Sequence, residues 1–174
     1  MDVTDGKFLS RSFVGFGGHI GMDIKPGWFG WAKDDIAFHI TGGDAIGGYL
    51  NQSGNFGLAT NFTASPATAA AAAQLIVKPT TEFGGNIGYQ HWWADNLRSN
   101  LSWGINHHDI PAEIVGAAQS GALNKELMTA HANVIWNPVS FVDVGVEYMW
   151  GQRRVVNNQT GQMNVLISKF AFRF

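Results

Sequence analysis

The stretch that most constrains this chain is its last. From Met163 to Phe174 the residues sort by parity. Leu166, Ser168, Phe170, Phe172 and Phe174 share one side of an extended strand; Val165, Ile167, Lys169, Ala171 and Arg173 share the other. Successive side chains in a strand point to opposite faces. One face is therefore largely aromatic and apolar, and the other carries two cations. In water such an edge invites aggregation. In the wall of a membrane barrel both faces have a use, apolar toward lipid and polar toward a lumen.

Composition favours the second setting. Only 14% of residues are charged, against roughly 25% in soluble domains. Glycine is abundant at 22, beside 12 Phe, 7 Trp and 3 Tyr. Few charges with many glycines and aromatics fit a β-rich protein with an apolar outer surface. The net charge of -2 gives no reason to expect nucleic acid, and the absence of cysteine excludes disulfides and thiolate metal sites. No run of about 18 apolar residues is present, so a membrane-spanning helix is not expected. The opening Met1-Asp2-Val3-Thr4-Asp5 does not read as a signal peptide. A mature chain, or the back part of a longer one, is expected.

Alternation marks seven strands, over residues 8–24, 34–48, 82–93, 98–109, 124–136, 140–154 and the terminal stretch. Residues 49–80 lack it and read as a long loop, with a short helix possible around Ala69 to Gln74. Residues 110–122 form a second loop. The links at 25–33, 94–97 and 137–139 read as short, and those at 49–80, 110–122 and 155–161 as mostly longer. Short turns on one side and long loops on the other fit an antiparallel up-and-down transmembrane barrel. One β-barrel region covers residues 1–174.

Cost decides which face meets lipid. A lysine or arginine facing lipid at mid-depth costs about 2–4 kcal/mol. Lys169, Asp143 and Glu147 must therefore face inward, which turns Phe170, Phe172, Phe174 and the Val142, Val144 and Val146 row outward. Trp93, Trp136, Tyr148 and Trp150 are expected near strand ends, as an aromatic interface girdle. An odd strand count leaves unpaired backbone in lipid. It implies either an eighth strand within 49–80, making a small closed barrel, or a piece of a larger one.

The run Ala132-Asn133-Val134-Ile135-Trp136-Asn137-Pro138-Val139, continued by Val142-Asp143-Val144-Gly145-Val146-Glu147-Tyr148 and Trp150-Gly151-Gln152-Arg153-Arg154, resembles DcaP-like outer-membrane porins of Gram-negative bacteria. So do Asp34-Asp35-Ile36, Gly43-Asp44-Ala45-Ile46-Gly47-Gly48-Tyr49-Leu50 and Asp95-Asn96-Leu97-Arg98-Ser99. The resemblance implies a trimeric porin of about sixteen strands that favours small anionic, dicarboxylate-like solutes. This chain is then roughly its C-terminal half. Gly48 stands where the family often has arginine. The terminal aromatics, Phe170, Phe172 and Phe174, look like the signal read by the barrel-assembly machinery.

Inward parity selects Arg11, His19, His39, His131, Lys169 and Arg173 as lumen cations, with Asp143 and Glu147 as the acids among them. Cations in a narrow pore attract and orient anions. Their plainer role is to solvate the wall and pair with Asp23, Asp143 and Glu147. Arg153 and Arg154, at the loop side, could guide anions or bind lipopolysaccharide phosphates. His107-His108-Asp109 is no metal cluster, because adjacent strand residues point apart. Gly15-Phe16-Gly17-Gly18-His19-Ile20-Gly21 lacks the third glycine and the helix of a dinucleotide loop. No serine sits in a recognisable hydrolase context. Neither enzyme chemistry nor a cofactor is expected. The alternative function is a small eight-strand outer-membrane barrel with a structural or enzymatic role and no open pore.

Overall fold

The computed structural model describes residues 14–27, 32–46, 50, 58–63, 74–110 and 123–173. Nine strands follow in chain order: β1 Phe16–Ile24, β2 Asp35–Asp44, β3 Leu58–Thr63, β4 Gln74–Pro79, β5 Thr81–Ala94, β6 Leu97–Asp109, β7 Asn124–Val139, β8 Val142–Val155 and β9 Thr160–Phe172. Seven form one sheet in the order β1-β2-β5-β6-β7-β8-β9. All its pairings are antiparallel.

Register carries parity from strand to strand. Ile20 stands opposite Ile40, Ile40 opposite Gly85, Gly85 opposite Ile105 and Ile105 opposite Met128. Farther along, Trp136 meets Val144 and Val144 meets Phe170. One face is therefore apolar across all seven strands, and a one-residue slip anywhere would mix it with the polar face. This face is not buried: Ile20 is 67% exposed, Phe170 63% and Leu166 74%. The only buried hydrophobic residues among those described are Ile46, Leu50, Val142 and Val155. A single-layer wall with its apolar side outward needs an apolar solvent, as lipid provides.

The structure corrects several expectations. Residues 49–80 are not simply a loop. They contain β3 and β4, paired only with each other. Gln74 opens β4, so it is not helical; residues 69–73 lie outside those described. The hairpin adds no eighth strand to the wall. Among the described residues β1 and β9 do not pair, and the sheet is open. Link lengths also differ. β8 and β9 extend their ladder to Arg154 and Thr160, leaving a tight turn at 156–159 in which Asn158 takes the left-handed φ of 65°. The β1–β2 link, in contrast, occupies residues 25–34. The first strand begins at Phe16, two residues into the described segment.

Candidate functional site

The opposite face of the sheet is polar and floored by small residues. Gly17, Gly43, Gly84, Gly88, Gly104 and Gly145 all have this parity. Onto this floor the chain folds back after β2. Ala45 takes a left-handed φ of 56°, and its N–H donates to the Thr80 carbonyl at 2.9 Å. Ile46 and Leu50 then become buried against the glycines. A Cβ on Gly17 would stand 2.8 Å from Ile46, and one on Gly84 would stand 2.9 Å from Leu50. Ile46 and Leu50 thus lie over the polar face, and glycine is required beneath them.

A ladder of side-chain hydrogen bonds crosses the middle of this face. Trp92 Nε1 donates to Gln90 Oε1 at 3.1 Å, Gln90 Nε2 to Asn100 Oδ1 at 2.8 Å, and Asn100 Nδ2 to Asn133 Oδ1 at 2.6 Å. Asn133 Nδ2 donates to Glu147 Oε2 at 3.0 Å, and His131 Nδ1 lies 3.1 Å from Glu147 Oε1. Four strands, β5 to β8, are stitched by uncharged amides ending on one carboxylate. Neutral polar residues suit a wall that faces water and must stay ordered.

The inward cations have different fates. His131 is paired with Glu147. Arg173 donates to Asp143, which also accepts from Asn137, itself held by Arg98 at 2.9 Å. His19 and His39 meet each other. Lys169 is exposed and, among the described residues, has no hydrogen-bond or ion-pair partner. It shares a cleft with Arg98, Asn133, Asp143 and Glu147. Arg11 lies outside the described residues, as does Phe174. Phe170 and Phe172 stack edge to face, with ring centroids 4.9 Å apart.

Of the expected girdle, Trp93 and Trp136 lie at the turn side of the wall. Tyr148 does not sit near a strand end. It lies mid-strand opposite Ala132 and Leu166, with its hydroxyl reaching Asn164 at 2.6 Å. Trp150 stands one pair farther, opposite Ala130 and Asn164. Phase placed both aromatics on the outer face, but distance from a strand end depends on register. Arg153 reaches Asn124, and Arg154 lies 3.7 Å from Glu126.

Two clusters were not foreseen. Glu82, His108 and Thr80 are buried together, with His108 Nδ1 2.8 Å and Thr80 Oγ1 3.0 Å from Glu82 Oε1. Inward parity of Glu82 and His108 was readable, but their register was not. His107 points the other way and faces Glu126 at 3.7 Å. At the turn side, Asp34 is buried and accepts from Tyr89 at 2.6 Å and from the Trp92 N–H at 3.0 Å, with His91 Nδ1 at 2.8 Å. Burial pushes this carboxyl up, but the three donors and the His91 charge outweigh it and hold Asp34 below its ordinary value.

Comparison with known proteins settles the lineage. The model of the DcaP outer membrane protein family matches residues 73–172, more than half of the chain. The chain belongs to the DcaP outer membrane protein family. No curated protein matches it. Among solved structures, the outer membrane channel DcaP of Acinetobacter baumannii is similar at 18% identity and a TM-score of 0.65. The match covers 92% of this chain and 41% of that one, so this chain spans less than half the length of that channel chain. At this identity the likeness speaks for the fold.

Membership in the DcaP family places the chain in the bacterial outer membrane and accounts for its inverted polarity. In an outer-membrane barrel the apolar face meets lipid and the polar face meets the interior. The apolar band of this DcaP-family wall ends where charge appears on the same parity. Asp44 accepts from Thr81 at 2.6 Å, and Glu126 collects His107 and Arg154.

Proposed function

We propose that this chain forms part of the wall of a water-filled diffusion channel for small hydrophilic solutes. The channel prefers anionic, dicarboxylate-like solutes and assembles as a homotrimer. Strands beyond these seven close the two open edges, because unpaired backbone in lipid costs several kcal/mol per group, on the order of a lost hydrogen bond in hydrocarbon. The aromatic face of Phe170, Phe172 and Phe174 presents the signal for the assembly machinery. Lipopolysaccharide meets the outer rim near Arg153 and Arg154.

The observation that carries the preference is the state of Lys169. Its acidic neighbours are already engaged, Asp143 by Arg173 and Asn137, and Glu147 by His131 and Asn133. The uncompensated charge near β8 and β9 is therefore positive, and a fixed cation in a confined pore concentrates anions. Asp23 and Asp35 lie at the far end of the sheet, on β1 and β2, so the favourable path runs along β8 and β9.

Planar-bilayer recording on the full-length protein tests this reading. Open channels passing anions better than cations are expected, and Lys169→Glu lowers that preference while the heat-modifiable folded band persists. Silent bilayers, or cation preference in the unaltered protein, would sink the proposal.

A further inference from the structure

Four of the six histidines stand against a carboxylate. His91 meets Asp34, His107 meets Glu126, His108 meets Glu82 and His131 meets Glu147. The other two meet each other. His19 Nδ1 and His39 Nε2 are 3.2 Å apart, with the ring planes inclined at 66°. Among the described residues no group of three or more His, Cys, Asp or Glu is placed to hold a metal ion, so a site at this pair has only two such ligands from the described residues.

We propose that His19 and His39 form a binding site for a divalent transition-metal ion on the polar face of the wall. Two imidazole nitrogens on one tetrahedral zinc, each about 2.0–2.1 Å from the metal, lie about 3.3 Å from each other. The observed separation is close to that edge. Metal ligation uses the neutral imidazole nitrogen. Thr41 Oγ1 is hydrogen-bonded to the same His39 nitrogen at 2.7 Å, and its hydroxyl must turn away, toward a metal-bound water, when a metal takes that nitrogen.

The surroundings leave room for the remaining ligands. The pair opens into a cleft of about 930 Å³ that also touches Gly17, Gly18, Ala45 and Ile46. Across from His39 stands Asn86, and across from His19 stands Thr41. The outer-face residues at this level are Ile20 and Ile40, so the site lies at mid-depth of the apolar band. With two protein ligands and water completing the shell, the ion is exchangeable. Imidazole ligands select zinc, copper and nickel over magnesium and calcium.

Zinc titration of the full-length protein in detergent, followed by calorimetry, tests the site without reference to conductance. One zinc per chain is expected. His19→Ala and His39→Ala should each weaken binding by at least about ten-fold, the loss typical of disturbing even a supporting partner. His107→Ala, on the outer rim, should bind as the unaltered protein does. All variants are checked for the heat-modifiable folded band. Single variants that bind zinc like the parent overturn the proposal. So does a parent that binds no more zinc than the folded double variant His19→Ala/His39→Ala.

Discussion

Asp34 shows how one carboxylate can hold a link. It joins the β1–β2 connection to β5 through Tyr89, His91 and the Trp92 N–H. Its folded-state pKa is depressed, so its contribution is present above the unfolded value and lost as pH falls through the folded one. Asp34→Asn should therefore be less stable than the parent at neutral pH. The gap should begin to narrow near about pH 4, the ordinary range of an aspartate, and close as pH falls on through the lowered folded value. Urea unfolding across that range measures it; a gap independent of pH would mean the charge plays no part. Gly84 gives a second prediction. A Cβ there meets Leu50 at 2.9 Å and the Ile105 carbonyl at 3.0 Å, and it collides with Asn106. Gly84→Val should cost about 1–3 kcal/mol by overpacking, read as a lower denaturant midpoint.

Strands β5 to β8 owe their alignment to side-chain bonds as well as backbone. Asn133 is the central rung, accepting from Asn100 at 2.6 Å and donating to Glu147 at 3.0 Å. Asn133→Ala leaves both partners unsatisfied and should cost about 1–3 kcal/mol. On the opposite face, Val146→Arg should cost about 2–4 kcal/mol, the usual penalty for a mid-depth cation in lipid. Folding titrations into lipid vesicles compare the two. These strands were legible because each has two unlike sides: lipid and water enforce a period of two on Val142, Val144 and Val146 against Asp143 and Glu147. β3 and β4 were not legible, since they pair only with each other and no wall imposes that period on Leu58–Thr63 or Gln74–Pro79. Partnerships such as Asp143 with Arg173, or His19 with His39, depend on register. Parity gives the face of a residue but not its neighbour.

Taken whole, the molecule is a wall with an inserted arm. The wall comprises the seven paired strands. The arm leaves after Asp44 and returns at Thr81, residues directly opposite each other in the ladder. Its two ends are already joined, by Thr81 Oγ1 to Asp44 Oδ1 at 2.6 Å and by the Ala45 N–H to the Thr80 carbonyl at 2.9 Å. The arm is therefore a replaceable cassette. Exchanging residues 46–79 for a short turn leaves the ladder at its neck intact, while removing Ile46 and Leu50 from the polar face. The full-length protein so altered should still fold and should conduct more. Under the proposed channel function, a lineage built this way can change what passes by exchanging the insert, with no change to the residues that meet the lipid.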